Sequence, residues 1–261
     1  MLYITLLTTG IILGSLERLP GLRFRRAPFF RRFFASDLFY LVTGFVAGTS
    51  LTYGFIFSAA QALGSVGVPR LSSLNIATWV AVAIALISLD LGNYAAHSLL
   101  HRYDTLWEIH KVHHSSRMLD WLATFRSHIL EQILRRLCGP LLLVLIGIPL
   151  EAVAIAGSLF YAWGMFIHSN LSLNLQAIEP ILVTPRLHRR HHDSNSTNKN
   201  LGNVFTIWDR LLGKFDGRAS GTDVIFGVPA QVDTYPQGWW SQFVAPLGVA
   251  TSRGTTAAAH N

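Results

Sequence analysis

Apolar residues in this chain gather into runs long enough to bear on a membrane, at about 2–16, 37–63 and 74–96, where a spanning helix needs about 20 residues. The first run is short, lacks a basic leader and shows no clear small-residue cleavage site, so it reads as a retained anchor or re-entrant helix. A fourth run, 137–168, is interrupted by Gly147 and Pro149. As one helix it would extend about 48 Å, too long for one untilted span and too short for two full spans with a turn. A helical hairpin bent near "GIP" fits best and brings both of its ends to the same face of the bilayer.

Composition strengthens the membrane reading. Apolar residues make up 51% of the 261 and charged residues only 13%, against roughly a quarter charged in an average soluble domain, so much of the surface faces lipid. The single cysteine, Cys138, excludes an internal disulfide and a thiolate metal cluster. A net charge of +7 invites a nucleic-acid reading, but the charge follows topology. Six arginines lie between Arg18 and Arg32, Arg70 lies between the second and third runs, and the other fourteen Lys and Arg follow His97. By the positive-inside rule the histidine-rich segments are then cytoplasmic. No recognition-helix, zinc-finger or RNA-platform signature is present, so no nucleic-acid partner is expected. From about Gly217 the chain is richer in Gly, Pro, Ser and Thr, and "TSRGTTAAAHN", with His260, reads as a frayed tail.

The chemistry sits in three clusters: "HSLLH" (His97, His101), "HKVHH" (His110, His113, His114) and "HRRHH" (His188, His191, His192). Residues three and four apart share a helix face, so each cluster can aim two or three imidazoles at one point. A single cluster could be a polar patch or a lipid-headgroup surface. Three together at a membrane boundary are costly without a shared partner, and a metal supplies one. Eight imidazoles exceed what one tetrahedral zinc uses, whereas two metals with four or five each stay open to a small molecule. Imidazole suits Fe, Zn, Cu and Ni alike. Ser98 stands where the general-base Glu of H-E-x-x-H would be, which weakens a zinc protease and favours a redox pair.

Asp90, Tyr94, His97 and His101 form one stripe of the third run, which puts an ionisable Asp about two turns deeper than the first ligand. Asp90 is expected to orient an imidazole N–H or offset metal charge, the alternative being a polar pocket shared with Asn93 or water. His168, at the hairpin's exit, and His128, in "FRSHILE", are further ligand candidates, though isolated in sequence.

These residues resemble the fatty acid hydroxylase and sterol desaturase superfamily of membrane di-iron enzymes. The resemblance runs from about Asp90 to Phe215 and rests on "DLGNYAAHSLLHRYDTLWEIHKVHHSS", "FRSH", "HSN" and "LHRRHHDSNSTNKNLGNVFTIWDRLLGKF". The chain departs from the family at "NLG" (Asn200 to Gly202), where Asn-Tyr-Gly is common, and at Gly213-Lys214, where Gly-Thr is frequent. The resemblance implies an all-α integral membrane protein of about four transmembrane helices, the hairpin included, under a cytosolic helical cap that holds a histidine-rich dimetal site. It divides the chain into membrane anchor helices (1–85), the catalytic region (86–216) and a C-terminal extension (217–261). It implies two iron ions, O2, and hydroxylation or desaturation of an unactivated C–H bond in a lipid or sterol-like substrate. No G-x-G-x-x-G or flavin motif is present, so electrons must come from an external carrier, a ferredoxin or a cytochrome b5-type protein with its reductase. A non-enzymatic metal-binding or transport protein is the rival reading, and it needs polar residues spread through the spans.

Overall fold

The computed structural model describes residues 1–28, 30–65, 76–196, 198–218 and 223–256. Its helices are α1 (Leu2–Leu16), α2 (Phe34–Phe39), α3 (Gly48–Ser65), α4 (Thr78–Arg102), α5 (Asp104–His114), α6 (Ile129–Ile146), α7 (Leu150–His168), α8 (Pro185–His191), α9 (Ile207–Leu211) and α10 (Trp239–Thr256). A π-helical stretch, Tyr40–Ala47, joins α2 to α3 without a break, and a 3-10 turn occupies Trp121–Phe125. Among the described residues extended pairing amounts to isolated bridges, such as Leu182 with Phe205. The protein is all-helical.

Among the described residues three stretches are long and apolar enough to cross a membrane: Phe34–Ser65, α4 and α7. The apolar α1 is shorter, at 15 residues. α4, with 25 residues, extends about 38 Å against a hydrocarbon core of about 30 Å, so one end projects from the lipid, and that end carries His97 and His101. Its buried face is built from small residues, Ala81, Ala85, Ser88, Gly92 and Ala96, which let α6 and α7 pack closely against it. Ala81 and Ala85 share a core with Leu143 of α6 and with Ile148, Ala152, Val153 and Ala156.

The hairpin forms, with α6 ending at Ile146, Gly147 taking a positive φ of 71°, and Pro149 capping α7. Its first leg begins at Ile129, earlier than the apolar run at 137 implied. The reason is an inverted amphipathic start. Ile129, Leu130, Ile133 and Leu137 are exposed, while Glu131 and Gln132 are buried. Charged and polar residues face the protein and apolar ones face out, so hydropathy undercounts the helix.

The opposite ends of α4 and α7 from this turn are covered by a cap in which α5 packs on α4 and α10, and α8 on α7. The cap is tied to α2 by buried ion pairs: Arg126, fully enclosed, and Arg31 both hold Asp37, and Arg31 also holds Asp120 at 2.7 Å. Breaking one partner of such a set leaves a buried charge uncompensated, so the group fixes where the loop before α6 lies.

Candidate metal centre

Nine of the candidate histidines converge. His97, His101, His110, His114 and His191 form one group, His113, His168, His188 and His192 a second, and within each the ligand nitrogens lie within 4.8 Å of one another. The clusters divide between the groups instead of each serving one point. In each H-x-x-H-H box the pair four residues apart goes to one group and the remaining histidine to the other. α5 sends His110 and His114 to the first group and His113 to the second, while α8 with its cap residue sends His188 and His192 to the second and His191 to the first. α4 contributes the i, i+4 pair His97 and His101, and the return of α7 delivers His168. The groups adjoin, with the rings of His114 and His192 stacked at 4.6 Å.

The ring orientations are fixed from behind. His97 Nδ1 lies 2.8 Å from the Leu201 carbonyl, His113 Nδ1 3.0 Å from that of Arg126, His168 Nδ1 2.7 Å from that of Gly164, and His191 Nδ1 2.9 Å from that of Lys199. A carbonyl only accepts, so each Nδ1 carries the proton and each Nε2 presents a lone pair inward. His110 Nδ1 is 2.9 Å from the Glu131 carboxylate, and Arg135 donates to the same oxygen at 2.8 Å. Burial, the largest influence, holds the imidazoles of His110, His113, His114, His188, His191 and His192 below their ordinary pKa, which keeps them in the neutral form that binds metals.

The donor set fits metal ions. In the first group the Nε2 atoms of His97, His101 and His110 are mutually 3.1 Å apart. In the second, His188 Nε2 lies 2.9 Å from that of His168 and 3.1 Å from that of His192. Neighbouring imidazole nitrogens on a shared ion with bonds of about 2.1 Å would sit roughly 3 Å apart. His191 Nε2 and both nitrogens of His114 are buried with no hydrogen-bond partner among the described residues. Lone pairs left this way are costly unless a cation completes them.

Two sequence candidates take other places. His128 belongs to neither group: its Nδ1 accepts the Leu130 N–H at the start of α6, and its Nε2 lies 3.1 Å from the Phe243 carbonyl. Asp90 touches no imidazole, since its carboxylate accepts from the backbone N–H of Val204 and Phe205 and from Trp208 Nε1. Asp209 likewise receives the N–H of Leu201 and Gly202. Together the two carboxylates hold the loop whose Leu201 carbonyl orients His97, so Asp90 acts at one remove. The departure at Leu201 changes a side chain where the contact to His97 is made by the backbone. Glu131 was missed by sequence reasoning, and its only local signal is a carboxylate three residues after His128 at the head of an apolar run.

Beside the clusters is a chamber of about 110 Å³ lined by His97, His113, His168 and His188 together with Asn93, Glu131, Arg135, Phe45, Phe125 and Phe160, among others. Histidine side chains and a space for a small organic group therefore share one wall.

A family model described as fatty acid hydroxylase matches residues 82–214. The chain is 33% identical over 170 residues to an ornithine lipid hydroxylase, OlsE, of Rhizobium tropici, covering 64% of this chain and 50% of that protein. It is 32% identical over 154 residues to the alkylglycerol monooxygenase of Danio rerio and 30% over 160 residues to that of Homo sapiens, covering 58% and 60% of this chain and 34% of each relative. The chain thus spans half the length of the first relative and about a third of the others. No solved structure matches it.

Proposed function

The chain belongs to the fatty acid hydroxylase family, and from that premise we propose that it is a membrane di-iron oxygenase that hydroxylates a C–H bond of a lipid or sterol-like substrate. The observation that carries the proposal is the convergence of nine buried histidines into groups of five and four. His97, His101, His110, His114 and His191 would hold one iron, and His113, His168, His188 and His192 the other. Such a pair, when bound and reduced, supplies the activation of O2 that attack on an unreactive C–H bond requires.

The chain's own residues do the rest. Carbonyls of Arg126, Gly164, Lys199 and Leu201 and the Glu131 carboxylate fix which imidazole nitrogen faces inward, and with it the ring planes. Arg135 offsets the Glu131 charge and donates to Asn93 at 2.6 Å, keeping the carboxylate aligned on His110. Phe45, Phe125, Phe160 and Tyr161 wall the chamber with apolar surface that excludes bulk water and accepts hydrocarbon. Two relatives named for lipids, an ornithine lipid hydroxylase and an alkylglycerol monooxygenase, support a lipid substrate and hydroxylation over desaturation. Electrons would come from an external ferredoxin or a cytochrome b5-type protein with its reductase, and the basic residues concentrated after His97 suit an acidic carrier on the cytoplasmic side.

The test is iron analysis and Mössbauer spectroscopy of detergent-purified protein from iron-57-supplemented cells, beside a His113→Ala, His191→Ala double variant, followed by O2-dependent lipid product analysis. Two irons per chain in a coupled site, lost in the variant, with a hydroxylated lipid product are expected. Native-like preparations without iron would end the oxygenase reading.

A further inference from the structure

The chamber at the histidines is small, and two neighbouring cavities share lining residues with it. The larger, about 610 Å³, lies between α1 and the π-helical stretch and is lined by Leu6, Leu7, Ile11, Val42 and Met165, among others. That volume lies within the roughly 300–1,000 Å³ of ordinary small-molecule sites. Leu7 and Ile11 are 65% and 61% exposed on a helix without charged residues, so the cavity is continuous with the lipid-facing surface. At its inner end it shares Phe45 and Phe125 with the chamber. The Phe45 ring meets Phe125 edge-on at 5.1 Å and Tyr161 at 4.6 Å. One layer of aromatic rings separates lipid-facing space from the histidines.

The smaller cavity, about 110 Å³, is lined by Leu89, Leu143 and Val153 and meets the chamber at Asn93, Arg135, Arg136, Phe160 and Tyr161. An alkyl chain coming that way runs beside the Arg135 to Asn93 hydrogen bond of 2.6 Å, and displacing it costs a half-buried guanidinium one of its partners. Passing the aromatic layer needs only a ring rotation and breaks no hydrogen bond. The backbone at that layer is unusual as well. Phe45 lies in the π-helical stretch, and Arg136 Nη2 donates to the Gly44 and Phe45 carbonyls, at 3.1 and 3.4 Å. Short π-helical segments recur at functional sites. Here the carbonyls are anchored from α6, while the Phe45 side chain packs among rings and apolar groups of its core cluster, with the Arg136 guanidinium 6.0 Å from its ring centroid, and makes no hydrogen bond.

On the lipid-oxygenase reading above, we propose that the alkyl chain of the substrate reaches the chamber through the cavity between α1 and the π-helical stretch, and that Phe45 is the specificity-determining residue that opens or blocks this route. The occupant of the cavity is a hydrocarbon chain from the bilayer.

The full chain in phosphatidylcholine vesicles doped with a fatty acid bearing a terminal diazirine is photolysed, and labelled peptides are mapped by mass spectrometry. Labelling needs no turnover. The chamber residues Thr124 and Leu201 are expected to be labelled in the unmodified protein, and Phe45→Trp should lower that labelling about five-fold or more. Labels on Leu143 and Val153 should be unchanged. Leu7→Trp, at an exposed position far from the core, plugs the mouth of the same cavity and should give the same drop without disturbing the aromatic layer. Chamber labelling that is absent from the unmodified protein, or indifferent to both tryptophans, overturns the proposal. Labelling that follows both variants in a protein that oxidises no lipid supports the route and counts against the reaction.

Discussion

α4 and α6 cross with Gly92 facing Gly139, and the substitution Gly92→Ala tests whether that close approach sets the metal geometry. A Cβ at position 92 would lie 2.5 Å from the Cα and N of Gly139 and 2.8 Å from the Cys138 carbonyl carbon. All are backbone atoms, which cannot rotate away. Carbon atoms in contact prefer about 3.5–4.0 Å, so the helices must part by about 1 Å at the crossing. Beyond it α4 carries His97 and His101, and α6 carries Glu131 against His110, so the parting separates two ligands from the group that orients a third. Overpacking of this kind costs about 1–3 kcal/mol, and an error of about 1 Å in a catalytic arrangement can cost on the order of 10²-fold in rate. Gly139→Ala is the control at the same crossing. The atoms nearest its Cβ would be those of Leu89, at 3.3 to 3.4 Å, and a shift of a few tenths of an ångström suffices. Bound iron per chain, thermal unfolding in detergent and product formation should all fall in Gly92→Ala and change little in Gly139→Ala. Equal behaviour of the two variants, or the reverse order, would refute the steric reasoning.

Glu131→Gln keeps the shape but removes the charge that faces His110 and Arg135, at 2.9 and 2.8 Å. Metal affinity measured by chelator competition should fall about 10- to 100-fold with helix content unchanged, and unchanged affinity would show that His110 is oriented without it. Glu17, just after α1, accepts the backbone N–H of Trp121 and of Asn170, both at 2.9 Å, and is 1% exposed. Burial and the nearby Asp120 raise its pKa from 4.5 to about 7. The folded state therefore holds this proton more tightly than the unfolded one, and stability is lost as pH rises from about 4.5 through about 7, by about 3 kcal/mol in all. Glu17→Gln has no such loss, so its melting temperature should match the parent's near pH 5 and exceed it by pH 8. A difference that is the same at both pH values would remove Glu17 as the cause, because the histidines are common to both proteins.

What was legible in the sequence is what is local. The apolar runs marked α1, the Phe34–Ser65 stretch, α4 and the hairpin, because lipid-facing helices are apolar on the surface they show. α6 was placed too late because its charged face turns inward to Glu131, Gln132 and Arg135, a pattern that averaging over a window erases. The π-helical stretch leaves no mark in an apolar run, since its hydrogen-bond shift is tied to Arg136 of a distant helix. Asp90 stood out as an intramembrane carboxylate, but its partners, Val204, Phe205 and Trp208, lie more than a hundred residues away. His128 has the residue type of a ligand, and only the fold shows it bonded at the start of α6.

The spacing H-x-x-H-H carries more than a count of ligands. At 3.6 residues per turn, positions four apart differ by about 40° around a helix, and the third histidine lies about 60° to the other side of the first. One box on one helix therefore cannot bring all three rings to a point, but it can give two to one ion and one to its neighbour. α5 gives His110 and His114 to the first group and His113 to the second, and α8 with its cap residue makes the reciprocal division. Each helix thus ties both groups together, and the boxes need each other. A single box would leave one imbalanced pair and one stranded imidazole, whereas two facing boxes, completed by His97 and His101 from α4 and His168 from α7, close two adjoining sites with every histidine of the boxes used. A site built this way has its two centres fixed to each other by α5 and α8, so moving either helix disturbs both at once.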